Sequence, residues 1–155
     1  MRTLAIDYGT VRTGLAMSDS GGRFATPLEV VEETDRAKLI AHVRRIIERE
    51  AVTRLVVGLP LNMDDTLGPM ARKTIELGSA LRAPGVEVVF VDERLSSFEA
   101  SSQLVDQKRA GAKMTRADKK KRLDAVAASV FLQEFLDGHL QAINVETVNA
   151  GRQRS

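Results

Sequence analysis

The chain has 155 residues and 43% hydrophobic content, enough to bury one core and too little for a second folded domain. It has no cysteine, which excludes disulfides and thiolate metal sites, so a bound metal must use oxygen or imidazole ligands, and a reducing cytosol suits it. The net charge of +2 hides an asymmetry: residues 108–122 hold eight basic residues against one acid, Asp118, which leaves the rest of the chain five units negative. A local excess of this kind is the footprint of a polyanion partner, and composition alone supports a solvated helix start equally well.

At the N-terminus, Leu4-Ala5-Ile6 is interrupted by Asp7, too short an apolar run for a signal peptide or a membrane span. The expectation is a cytoplasmic protein. Residues 2–7, 12–19 and 23–31 read as short strands separated by turns at Gly9-Thr10 and Gly21-Gly22, an antiparallel meander. Asp35 is placed to cap a helix whose apolar stripe is Leu39, Ile40, Val43, Ile46 and Ile47. Residues 54–59, ended by Pro60, read as a buried strand, and a loop covers 60–67. Gly68-Pro69 starts a second helix that ends by Pro84-Gly85, and 86–91 is the next strand.

A third helix is expected over 97–106, then a loop through Gly111. Thr115 and Asp118 resemble a capping box for a last helix carrying Leu123, Val126, Val130 and Phe131 on one side and stopped by Gly138. The order implies an α/β domain over 1–139 with a mixed five-stranded sheet, three strands in a meander and two parallel, flanked by helices. The segment 140–155 reads as a flexible tail.

Three acids stand where chemistry is possible. Asp7 ends the first strand before a glycine turn, at the rim where α/β sheets open onto a crevice. Asp92 and Glu93 end a later strand, and alternation of side chains lets only one of them face Asp7. Asp124 lies in the first turns of the last helix beside Ala125, Ala127 and Ala128, small enough for that helix to approach the sheet closely. Taken singly, each is as readily a turn, cap or helix-dipole residue. Together, three carboxylates repel unless a divalent ion joins them, and oxygen ligands suit Mg²⁺ or Mn²⁺, the ions of phosphodiester hydrolysis.

The stretch Ala5-Ile6-Asp7-Tyr8-Gly9-Thr10-Val11-Arg12-Thr13-Gly14-Leu15-Ala16-Met17-Ser18-Asp19 resembles the N-terminal signature of the YqgF family, also called RuvX. Val57 to Asp64 resembles its second motif, Asp92 to Ser97 its third, and Lys121 to Ala128 its fourth, in family order. The resemblance implies an RNase H-like fold and metal-dependent nuclease activity on the precursor of small-subunit ribosomal RNA. It also implies that Asp7, Glu93 and Asp124 are the catalytic metal ligands, with Glu93 favoured over Asp92. Two positions depart from the family pattern: Val11, where many members carry a basic residue, and Asp65, where glycine is common.

Nucleic acid is the expected partner, held by Arg12, Arg94, Lys113, Arg116, Lys119, Lys120 and Lys121, with the protein acting as a monomer or homodimer. Arg12 is equally readable as an exposed strand-start residue and Arg94 as a structural ion-pair partner. The absence of Trp and the single Tyr8 argue against a binding mode built on stacked bases. Two alternatives compete with the ribosomal RNA reading: a Holliday junction resolvase, and a non-catalytic nucleic-acid-binding module. Asp7-Tyr8-Gly9-Thr10 also resembles the phosphate turn of sugar kinases, but those enzymes close two such domains over a nucleotide and this chain has room for one.

Overall fold

In the computed structural model the described residues are 1–95 and 116–144, with 116–122 described as backbone alone. Strands β1 (Arg2–Asp7), β2 (Thr13–Ser18) and β3 (Ala25–Val31) form the antiparallel meander, in which Asp7 sits opposite Gly14. Helix α1 (Arg36–Arg49) follows, its free N-terminal amides at Ala37 and Lys38 satisfied by the Asp35 side chain. Strand β4 (Val52–Leu59) then lies parallel to β1 with Ile6 beside Val57. Helix α2 (Pro69–Ala80) leads back to β5 (Glu87–Asp92), parallel to β4. A 3-10 turn, Glu93–Leu95, closes that strand, and helix α3 covers Arg116–Leu136. Gly138, at a φ of +81°, takes the left-handed turn that stops α3.

The sheet is mixed as expected, but it has six strands rather than five, in the order β3-β2-β1-β4-β5-β6. The added strand, β6 (Ala142–Ile143), pairs antiparallel with the outer edge of β5, and Leu140 before it is buried. Residues 142–143, read from sequence as part of a frayed tail, are therefore ordered by an open strand edge, a partner remote in the chain. The expected helix at 97–106, the loop through Gly111 and the cap at Thr115 lie outside the described residues.

Strand alternation divides the interior in two. Leu4, Ile6, Leu15, Leu55, Val57, Leu59 and Phe90 face α1 and α2, whose Leu39, Val43, Ile46 and Leu77 complete a large aliphatic core. On the other face Ala5, Ala16, Val56 and Val91 meet Ala128, Phe131 and Leu132 of α3. The buried stripe of α3 runs through Ala125, Ala128, Phe131 and Leu132, while Leu123, Val126 and Val130 are only half-buried. This corrects the expected stripe at Leu123, Val126 and Val130 while Phe131 holds: the meander side of the sheet presents alanine and glycine, so the helix turns its own small residues inward there and packs closely. Among the described residues no helix is long and apolar enough to cross a membrane.

Candidate active site

Asp7 shares its sheet face with Ala5, so its carboxylate emerges on the α3 side at the C-terminal end of β1. Both neighbouring strands carry glycine beside it, Gly14 on β2 and Gly58 on β4. A Cβ at Gly14 would stand 2.0 Å from the Asp124 carbonyl oxygen and 2.9 Å from the Ala125 nitrogen. A Cβ at Gly58 would stand 2.9 Å from Glu93 Oε2 and 3.1 Å from the Phe131 ring. The missing side chains make room for two groups over Asp7: the α3 backbone at Asp124, and the Glu93 carboxylate.

Glu93 and Asp92 part company at the end of β5. Val91 packs in the α3-side core and Phe90 in the opposite one, so Asp92 follows Phe90 while Glu93 continues toward Asp7. Asp92 is buried and bonded to Arg94, whose Nε donates to Oδ1 at 2.9 Å and whose Nη2 donates to Oδ2 at 2.7 Å. Arg94 Nη2 also donates to Asp65 Oδ1 at 2.6 Å and Nη1 to the Asn62 carbonyl. This guanidinium thus ties the turn bearing Glu93 to the loop after β4. Asp65 adopts a φ of +66°, a left-handed conformation more costly for aspartate than for glycine. The Arg94 bonds hold the Asp92 carboxyl below its ordinary range, opposed by partial burial, and raise the guanidinium further.

The acids perturb one another as a convergent set must. Asp7 is pushed up to about 8, first by burial and then by the negative charges of Glu93 and Asp124. Burial raises Glu93 as well, opposed by its hydrogen-bonding interaction with Asp7. Asp124 Oδ2 accepts from Arg12 Nε at 3.2 Å. A proton and a guanidinium thereby offset negative charge at the cluster. Among the described residues no three His, Cys, Asp or Glu side chains stand grouped as a ready-made metal site. In chemistry the donors nonetheless suit a hard divalent cation: all are carboxylate oxygens, they come from three separate elements, and their mutual repulsion calls for added positive charge.

The remaining residues named from sequence divide by position. Arg12 lies at the cluster, on Asp124, and Arg94 lies beside it with its guanidinium engaged by the protein's own carboxylates. Arg116, Lys119, Lys120 and Lys121 occupy the first turns of α3, described as backbone alone, and Lys113 is outside the described residues. The sequence reading passed over Gly14 and Gly58. The signal that finds them is a glycine inside a strand pattern, which marks a close approach of another backbone or side chain.

The family model described as "RuvX: Holliday junction resolvase" matches residues 1–138. A protein of Opitutus terrae named "Putative pre-16S rRNA nuclease" is 43% identical over 139 residues, 88% of this chain and 92% of the relative. One of Anaeromyxobacter dehalogenans with the same name is 46% identical over 138 residues, 88% of this chain and 97% of the relative. Among solved structures, Thermus thermophilus RuvC in complex with a Holliday junction substrate matches with a TM-score of 0.55 at 16% identity, covering 92% of this chain and 99% of that one. A fowlpox virus resolvase with Holliday junction DNA matches at 0.53 and 13%, covering 89% and 98%. At those identities the likeness is one of fold, the RNase H-like architecture.

Proposed function

This chain belongs to the RuvX family of nucleases, enzymes that hydrolyse phosphodiester bonds, and on that premise we propose that it is a cytoplasmic metal-dependent endonuclease that trims the 5′ end of precursor 16S ribosomal RNA. One observation carries the reading: over two glycines, Gly58 and Gly14, the Glu93 carboxylate and the α3 backbone at Asp124 close in beside Asp7, where burial first and the neighbouring acids second push its carboxyl up to about 8. Asp7, Glu93 and Asp124 would hold the ion. Mg²⁺ or Mn²⁺, when bound, supplies charge neutralisation and Lewis acidity for displacement at phosphorus.

The chain's own residues do the rest. Glu93 is kept over Gly58 by the turn that Arg94 ties down, and Phe131 walls the cluster from the α3 side. Arg94 acts as a support for that turn, its donors being committed to Asp92, Asp65 and Asn62. Arg12, Lys113, Arg116, Lys119, Lys120 and Lys121 are the cations assigned to a polyanion substrate, which their charge attracts. Monomer and homodimer both accommodate RNA trimming, whereas paired symmetric cuts in a junction need two sites.

Resolution of four-way DNA junctions is the second reading, favoured by the description of the matched family. Purified protein should be offered precursor 16S rRNA and a four-way junction in Mn²⁺, in EDTA, and with Asp7→Asn. Cleavage of the RNA that needs both the metal and Asp7 is expected. Junction cleavage without RNA cleavage would select the second reading, and cleavage by Asp7→Asn at the wild-type rate would overturn both.

A further inference from the structure

Arg12 is, among the described residues, a cation bonded directly to one of the three acids, Asp124. The Arg12 and Asp124 side chains are 22% and 33% exposed, and Nε lies 3.2 Å from Oδ2. The turn that carries Arg12 is tight, with Gly9 packed so closely on the Arg12 carbonyl that a Cβ at Gly9 could not fit. That turn presents Arg12 at the rim, from which its long side chain reaches Asp124. Asp124 is also one of the three carboxylates assigned to the ion. A doubly charged ion on Asp124 and a guanidinium on the same carboxylate would repel across a few ångströms. Arginine stays charged at any working pH, so it cannot relieve that repulsion by losing a proton. The phosphate of a substrate at the cluster offers it a second anion, one its fork geometry matches.

We propose that Arg12 is a metal-displaced counter-ion: without the ion it neutralises Asp124, and when the ion binds it leaves that carboxylate and contacts the substrate phosphate. Metal and nucleic acid binding are then coupled through one side chain, with the ion making the substrate contact available. The inference rests on the proposed metal site and goes beyond it by giving Arg12 two partners in alternation. A support role, in which Arg12 merely orients Asp124 for the ion, predicts the opposite sign, because loss of a group that orients a ligand weakens metal binding.

The test uses the full chain with Arg12→Gln, Arg12→Lys and Asp7→Asn, each checked for a folded transition in EDTA. Mn²⁺ is titrated calorimetrically without nucleic acid. Binding of a structured RNA hairpin is then measured against salt, in Ca²⁺ and in EDTA. Arg12→Gln should bind Mn²⁺ about five- to tenfold more tightly than wild type, since a repelling charge is gone. Arg12→Lys, which keeps the charge, should show no such gain. In Ca²⁺, Arg12→Gln should lower hairpin affinity about tenfold and reduce the salt slope by about one, with no difference from wild type in EDTA. Weaker Mn²⁺ binding by Arg12→Gln, or an equal loss of hairpin affinity with and without the ion, overturns this proposal alone. Failure of wild type to bind Mn²⁺, or undiminished binding by Asp7→Asn, overturns the metal site and this proposal together.

Discussion

Gly14→Ala isolates the geometry of the site from its chemistry, because it touches no acid side chain. The new Cβ would meet the Asp124 carbonyl oxygen at 2.0 Å and the Ala125 nitrogen at 2.9 Å, both of them backbone atoms that no rotamer change can move aside. Relief to ordinary van der Waals separation requires α3 to withdraw from β2 by about 1 Å or more at that turn. The stability cost is that of overpacking, about 1–3 kcal/mol, which for a domain of this size lowers Tm by roughly 3–10 °C. Asp124 is carried away from Asp7, and an error of about 1 Å at a reacting centre costs roughly 100-fold in rate. Three measurements check this: Tm in EDTA, the Tm rise on adding Mn²⁺, and the single-turnover cleavage rate. The variant should remain folded, lose most of the Mn²⁺-dependent rise and cleave about 100-fold more slowly. A folded variant with the wild-type metal response and rate would refute the idea that close approach of α3 sets the spacing of the acids.

Gly58→Ala, whose Cβ meets the movable Glu93 carboxylate and the Phe131 ring, should be milder, weakening Mn²⁺ binding roughly tenfold by calorimetry with Tm in EDTA changed by only a few degrees. For Asp7, raised from an ordinary 3.8 to about 8, the metal-free folded state keeps a proton that the unfolded chain has released. That contribution is complete below pH 4 and is lost as pH rises toward 8, about 2 kcal/mol or roughly 5 °C between pH 6 and 8. Asp7→Asn should flatten this slope in EDTA and abolish stabilisation by Mn²⁺; parallel melting curves for the two proteins across that range would refute the assignment. Mn²⁺ binding to wild type should release protons and tighten from pH 6 to 8, as read by calorimetry in buffers of different ionisation heat. Arg94→Ala leaves buried Asp92 without its partner and should lower Tm at pH 7 by about 5 °C, with Arg94→Lys failing to restore it, since a point charge cannot span Asp92, Asp65 and the Asn62 carbonyl. Because Asp92 is held below its ordinary range, that difference is present at neutral pH and shrinks as pH falls through its folded value, so equal losses at pH 3 and pH 7 would contradict it.

The elements formed by local physics were legible along the chain. The Asp35 cap, the apolar spacing of α1, Pro69 at the start of α2 and the short β-branched runs of β4 and β5 each state their structure within a few residues. The three acids were named from their motifs, and alternation along β5 separates Asp92 from Glu93 without coordinates. What depends on distant partners was not legible. Ala142–Ile143 becomes a strand because the edge of β5 is open, and α3 shows its alanines to the sheet because Ala5, Gly14 and Ala16 leave a shallow surface there. Arg12 lies 112 positions from Asp124, and Arg94 about 30 from Asn62 and Asp65, so their partners exist only after the sheet has assembled. Candidate residues and the elements that carry them follow from cap, period and motif, all of which are local. Which charges meet depends on the assembled fold, since two glycines on the strands either side of Asp7 are what admit the Glu93 carboxylate and the backbone of a helix from the far end of the chain.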